Sequence, residues 1–592
     1  MGLPAAVSAH SFHIPVMGTG FMIDAPLRVA RYGISSVISL VDDILIEQMR
    51  KYHCQQHGEP YEEIPDGAED ARARRITAYL NLLDVLIARQ LAELRSSPFE
   101  PGSEITRYFD LLPEGPLAQQ YRDMLETAEP ALRLEKQERL RGLVVPGTID
   151  VNIMSKGDRD LYCNGEKLPL KYSDASAAFR GFAESTVSSS IVFSAGMNPR
   201  LYGWPAEFPD FFPDERGELK KKIVLKVSDY HSGAVQGKFL AKKGLWVSEY
   251  RIESGLNCGG HAFATKGLLL GPILAEFQKK RQELVEQIHA VYAKALRAKG
   301  IVRNEPLPIR ITAQGGIGTA EEDRLLRDYY GADGTGWGTP FLLVPEVTNL
   351  DQEHLDKLCA AVDGDVYLSD SSPFGLPFWN LRNSASEEAR RARIAKDRPG
   401  SACPKGFVKL FNTEFTETPI CTASRQYQKL KLAELEKQEM PEARREALRE
   451  MVMAKSCICH DLAGGATRKN DIDRNATPAV CCGPNIVNFN RVMTLEEIVG
   501  HIYGRISLLA FADRPHMFLR EIELYLDHFA DQQRKARLGL VTLGPEYFAE
   551  CRTNMLAGVE HYRQFAQCLD SESCTAFLER LAALRIKIEA ME

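Results

Sequence analysis

"RITAQGGIGTAEEDRLLRDYYGADGTGWGTPFLLVPE", residues 310–346, reads as strand, glycine loop, helix and a second glycine-rich strand end. The run "PIRITAQGG" (308–316) is apolar and β-branched, then breaks at paired glycines. Thr319 is placed as an N-cap, Glu321, Glu322 and Asp323 fill the first turn, and Gly331 stops the helix. Strand, helix and strand in this order form a parallel pair joined by a crossover.

Working outward, seven more strand-like segments precede or follow helices in the same alternation. They are "HIPVMGTG" (13–20), "ISSVISL" (34–40), "TIDVNIMS" (148–155), "SSIVFSAG" (189–196), "KIVLKVSD" (222–229), "LWVSEYRI" (245–252) and "GTGWGTPF" (334–341). Near-continuous apolar strands separated by helices predict a parallel sheet covered on both faces. Eight of them predict a (β/α)₈ TIM barrel over residues 1–345, with an open doubly wound sheet as the rival. Asp24 is the expected N-cap of a first helix ending at Gly33, and another helix ends at Gly244.

Two stretches break the pattern. Residues 55–141 read as a charged helical insertion. Residues 197–221, rich in proline and aromatics, read as a loop over the barrel mouth. From 346 to 592 the period changes to that of amphipathic helices, so a C-terminal, mainly helical domain is expected there.

The chain has 592 residues, 44% hydrophobic and 26% charged, with a net charge of −7. Basic residues are dispersed, which argues against a nucleic-acid partner. The basic run at 219–227 reads as a solvated turn. No apolar run is long enough for a bilayer, and "MGLPAAVSAHSFHIPV" lacks the features of a secretory or myristoylation signal, so a cytoplasmic protein with no membrane partner is expected. Thirteen scattered cysteines fit reduced thiols in that compartment.

In a barrel, the loops after the seventh and eighth strands commonly hold a phosphate. Gly315, Gly316 and Gly318 would bring bare amides to a dianion, the helix at Thr319 would point its positive end there, and Gly338 with Thr339 would close the other side. The sixth strand runs into "SGLNCGGHAFATKG" (254–267), where Gly259 and Gly260 precede His261. An imidazole near its ordinary pKa of about 6.5 can take up and release a proton at neutral pH.

These motifs in this order resemble the FMN-binding barrels of the nitronate monooxygenase (2-nitropropane dioxygenase-like) family, which includes FMN-dependent enoyl-ACP reductases. The resemblance covers about residues 13–345 and rests on "PVMGTG", Val151-Asn152, "NCGGH", "QGGIG" and "GTPF". Cys258 stands where the family usually has alanine, the 55–141 insertion is unusually long, and everything after 345 lies outside the resemblance. It implies FMN held by Met17, Gly18, Thr19, Asn152, Lys226, Gly259, Gly260, Gly315, Gly316, Gly318, Gly338 and Thr339, with His261 catalytic. Lys226 would face the pyrimidine edge of the ring. Oxidation of a small nitronate-like carbon acid by oxygen follows; the alternatives are an NAD(P)H-dependent reductase of an activated alkene and a non-catalytic flavin- or phosphate-binding subunit. A small-molecule substrate is expected, and a homo-oligomer is compatible with it.

Glu249 and Glu253 flank the sixth strand as alternative bases. Cys258 reads as a small packing residue rather than a redox thiol. In the C-terminal region, Cys457, Cys459, Cys481 and Cys482 offer thiolates for zinc or an iron–sulfur cluster, with Cys403 and Cys421 upstream. C-x-C followed by C-C has no standard metal spacing, so buried thiols and no metal are the expected state.

Overall fold

The computed structural model describes residues 9–154, 158–163, 165–194, 196–409, 412–511, 513–569 and 571–591. The reading of the chain's first eight residues lies outside these, as do the ends of the strand readings at Ser155 and Ala195.

Eight parallel strands close into a barrel: β1 (Phe12–Ile14), β2 (Ser35–Ser39), β3 (Ile149–Ile153), β4 (Ser189–Phe193), β5 (Lys221–Val227), β6 (Val247–Glu253), β7 (Arg310–Gln314) and β8 (Gly334–Gly336). Each strand neighbours the next in sequence, and β8 returns to β1 through Phe12↔Thr335 and His13↔Gly336. The fold is therefore a TIM barrel with surrounding helices. The last strand is shorter than its apolar run, because Gly338 and Pro340 turn the chain into a 3₁₀ segment, Thr339–Leu343.

Alternation along the strands builds the interior in layers. Val37, Val192 and Val224 pack together under Val16. A polar layer beside them joins Glu249 to Arg251 (2.7 Å) and Thr312 (2.6 Å). Burial opposes the charge on Glu249, but Arg251 and Arg310 hold it down at about 2. Glu249 is thus a structural ion-pair partner inside the barrel, which removes it as a candidate base.

The helix Ala320–Asp328 forms as its caps dictate: Thr319 Oγ1 accepts from the Glu322 amide at 3.1 Å. Asp24 does not cap with its side chain. Its carboxylate faces Arg28 (3.0 Å) and His53 (3.3 Å) and bonds Asn349 instead.

The fourth crossover lacks an α-helix. Residues 197–221 descend the outer wall in its place, not over the mouth, as 3₁₀ segments Leu201–Glu207 and Pro209–Phe211. Their aromatics explain this: Phe208 and Phe211 pack on Phe179, and Tyr202 stacks on Phe193 at 4.8 Å. Nor is the basic run simply solvated. Lys221 is fully buried and donates to Phe182 O, Ser185 O and Ser185 Oγ. Burial pushes its pKa down to about 7.

Within the 55–141 stretch, the helix Ala71–Ser96 packs on the barrel helix Asp174–Ala183, and Arg72 bonds Asp43, Leu40 O and Asp174 O. Residues after 346 add a hairpin, β9 (Val366–Ser369) with β10 (Phe378–Leu381), and long helices including Met517–Arg537 and Pro545–Phe565. Their apolar side chains share one continuous core with the barrel. No helix of the described residues is long and apolar enough to cross a membrane.

Candidate active site

A cavity of about 390 Å³ opens at the carboxyl ends of the strands, within the range of about 300–1,000 Å³ usual for small-molecule and cofactor sites. Its floor follows from strand alternation. Ser39, Asn152, Ser194, Lys226, Glu253 and Gln314 are the last inward residues of their strands or the first beyond, and all line it.

Of the thirteen site residues expected from sequence, twelve lie on this wall: Met17, Gly18, Thr19, Asn152, Lys226, Gly259, Gly260, His261, Gly315, Gly316, Gly338 and Thr339. Gly318 does not. Its amide donates to Glu322 Oε2 at 2.8 Å and its carbonyl bonds His501 Nε2 at 2.9 Å.

Lys226 Nζ pairs with Glu253 Oε2 at 2.8 Å, and Gln314 Nε2 donates to Glu253 Oε1 at 2.7 Å. This arrangement leaves Gln314 Oε1 buried without a partner, and Asn152 Oδ1 is in the same state. Buried acceptors of this kind cost free energy unless something donates to them. Burial, then the Glu253 carboxylate, push the Cys258 thiol well above its ordinary value. Cys258 is therefore kept as a neutral thiol.

At the glycine loop, Gly315 (φ +113°) and Gly316 (φ +81°) adopt backbone that side chains disfavour, and their amides donate to no group among the described residues. Arg514, absent from the sequence reading, fixes the loop. It donates to Gly316 O (2.6 Å), Glu322 Oε1 (2.7 Å) and Asn485 Oδ1 (3.1 Å). Burial works against the charge on Glu322, but the Arg514 guanidinium, His516 and the Gly318 amide hold it below the ordinary carboxylate value. The positive end of the Thr319 helix is thereby met by its own Glu322 and is not open to an external anion. Free amides remain at Gly315 and Gly316.

His261 is set by residues from beyond 346. Trp379 N donates to Gly260 O and Ala262 N to Pro377 O, both at 2.9 Å, so the 260–262 segment is zipped to the β10 end of the hairpin. His261 Nε2 lies 2.6 Å from Ser372 Oγ, which also accepts from Phe374 N. The ring meets Phe374 and Phe378 edge-on at 5.6 and 5.0 Å. One buried carboxyl holds both ends of this loop: Glu521 accepts from Ser254 Oγ (2.5 Å) and from Leu270 N (2.9 Å).

Phe374, Leu376, Phe378, Leu462, Cys481, Gly483 and Asn485 complete the wall. The sequence reading missed them; the only local signal is the pair of Gly/Pro turns in "SSPFGLPFW" and "CCGPN". Gly259 shows how close the second segment comes, since a Cβ there would lie 2.6 Å from Cys481 O and 2.8 Å from Gly483 N. Cys481 and Cys482 thus belong to the barrel mouth and its core, not to a group with Cys457 and Cys459, which corrects the metal set considered from sequence.

The cluster Asp351, Glu353 and His354 is internally satisfied: His354 Nδ1 bonds Asp351, Nε2 accepts from Ala385 N, and Lys357 and Arg468 neutralise Glu353.

No protein-family model matches the sequence, and none of the curated proteins does. Among solved structures, the chain is similar to the enoyl reductase domain of MlnA from the macrolactin biosynthesis cluster of Bacillus amyloliquefaciens. That match has 16% identity and a TM-score of 0.32, and covers 69% of this chain and 88% of the other. An IMP dehydrogenase/GMP reductase-like protein from Corynebacterium glutamicum matches at 12% identity and a TM-score of 0.24, over 57% of this chain and 65% of its own. Likeness at this level carries nothing about activity.

Proposed function

We propose that the chain is an FMN-dependent oxidoreductase that works at an activated carbon, with His261 handling the proton. The observation that carries this reading is the convergence on one cavity of unbonded amides (Gly315, Gly316), the carboxamides of Asn152 and Gln314, and a histidine. The polar lining fits FMN: the amides suit its phosphate, and the Asn152 and Gln314 side chains supply carboxamides for the polar edge of its ring. FMN, when bound, supplies the two-electron chemistry.

The residues of the chain do the rest. Lys226, held by Glu253, presents positive charge at the floor, where reduction concentrates negative charge. His261 exchanges its proton with the substrate carbon, and the Ser372 hydroxyl orients the ring at Nε2. Phe374 and Phe378 keep water from that face.

Two directions follow. In one, a small nitronate-like carbon acid is oxidised and oxygen is the final acceptor. In the other, NAD(P)H is the donor and an activated alkene is reduced. The apolar wall of Phe374, Leu376 and Phe378 beside His261 favours the second, since it suits a hydrophobic chain better than a small anion. Anaerobic addition of NAD(P)H to the FMN-loaded protein separates them: the reductase bleaches the flavin band, and the oxidase does so only with its carbon acid. His261→Ala is expected to lower turnover by about 10²–10⁴-fold while FMN stays bound. Unchanged turnover would mean the proton is handled elsewhere. No turnover with any donor or acceptor would leave a non-catalytic binding subunit.

A further inference from the structure

Four cysteines from separate parts of the C-terminal region meet away from the barrel cavity. Cys403 and Cys421 lie on the irregular segment before the helix Arg425–Leu435, and Cys457 and Cys459 lie at the start of the short helix Ile458–Asp461. They share a small hydrophobic cluster with Phe407, Val408 and Ala423. Cys421, Cys457 and Cys459 are buried, Cys403 is half-buried, and none is in a disulfide. Cys457 Sγ is 4.0 Å from Cys459 Sγ, and Cys403 neighbours both Cys421 and Cys457.

Three features set this group apart from chance burial of thiols. First, the chain is bent to bring it together. The backbone pairs Ser401 with Ser424, and Cys403 sits at φ +55°, a left-handed conformation that costs a non-glycine residue about 1–2 kcal/mol. Secondly, polar donors neighbour the sulfurs. The Gly406 amide, the Ala423 amide and the Ser401 hydroxyl favour the thiolate form of Cys403, Cys421 and Cys457 in turn. A thiol has little use for such donors, whereas a metal-bound thiolate is stabilised and tuned by them. Thirdly, the Lys409 charge acts on Cys403 and offsets the negative charge of a thiolate set.

We propose that Cys403, Cys421, Cys457 and Cys459 form a four-thiolate metal centre that takes a soft cation, as zinc or as an iron–sulfur cluster. The sulfurs stand as an open chain, with no three mutually within 4.8 Å. A single zinc with Zn–S of about 2.3 Å brings them to about 3.8 Å apart, so it requires the outer two to turn inward. An iron–sulfur cluster spans a wider set and requires less movement. Phe374 packs against this group and also lines the barrel cavity, which puts the centre one aromatic side chain from the candidate active site. The inference does not depend on what that cavity binds.

The test is metal and acid-labile sulfide analysis of the full-length protein, purified without air and without added chelator. Zinc at about one equivalent per chain, with no sulfide, supports the mononuclear form; iron with matching sulfide and a broad brown absorption supports the cluster. Cys457→Ser/Cys459→Ser is expected to lose at least tenfold of that metal, whereas Cys481→Ser keeps it. X-ray absorption on the unmutated protein covers the case in which the variant does not fold: sulfur-only coordination supports the centre, and nitrogen or oxygen ligation overturns it. A protein that stays metal-free after both zinc supplementation and anaerobic iron–sulfide reconstitution overturns it as well.

Discussion

Glu521 offers the sharpest perturbation, because one side chain from a C-terminal helix holds both ends of the loop that carries His261. It is 1% exposed, and burial raises its pKa from 4.5 to about 7 despite hydrogen bonds from Ser254, Leu270 and Tyr562. Between those two values the folded protein keeps a proton that the unfolded chain has released. Stability therefore falls as pH rises through this window and levels off above it. At about 1.36 kcal/mol per unit, the shift corresponds to roughly 3 kcal/mol. Glu521→Gln is a neutral isostere, and the Ser254 hydroxyl can reverse to accept from the new amide while Leu270 N keeps its acceptor. Below about pH 4.5 the variant is expected to match the wild type, and near pH 8 to exceed it by up to about 3 kcal/mol. Denaturation midpoints measured pH by pH at constant ionic strength read this difference directly. Parallel curves for the two proteins from pH 5 to pH 8 would refute the reasoning, because the carboxyl would then titrate alike in both states.

Further predictions concern the glycine loop and its clamp. Gly316→Ala must adopt φ +81° and its Cβ would overlap the Asn257 carboxamide; it is expected to cost about 1–2 kcal/mol for the backbone and a further 1–3 kcal/mol for overpacking. FMN affinity, read by fluorescence titration, falls at least tenfold. Arg514→Met leaves the Glu322 carboxylate buried beside the loop without its partner, with an expected loss of about 3–5 kcal/mol by thermal unfolding. Adding Glu322→Gln to that variant is expected to restore more than half of the loss.

The barrel was legible because its signals are local. β-branched runs, Thr319 as a cap and glycine stops at Gly33, Gly244 and Gly331 each act within a turn or two of chain. Asn152 and Lys226 followed once the strand ends were known, since alternation puts both on one floor; Gln314, which alternation places beside them, went unnamed. What stayed hidden depends on contacts remote in sequence. Lys221 looked solvated because its acceptors, Phe182 and Ser185, come from the end of another helix. The expected anion site at Thr319 is closed by Glu322 and by Arg514, which lies 192 residues further on. The aromatics at 374–378 and the turn at 481–485 reach the cavity through hairpin pairing and close backbone approach, which no period in their own sequence encodes. The sequence named the cysteines but not their grouping: Cys403 and Cys421 are too far from Cys457 and Cys459 to form a spacing motif, and Cys481 and Cys482 pack elsewhere.

The central claim is that the cavity above β1–β8 grips a flavin mononucleotide. Titration of the flavin-stripped protein with FMN, followed by fluorescence and by the visible spectrum, tests it most directly. The account predicts saturable uptake at about one equivalent per chain, weakened by Gly316→Ala. A protein that stays colourless and leaves the fluorescence of free FMN unchanged would contradict it.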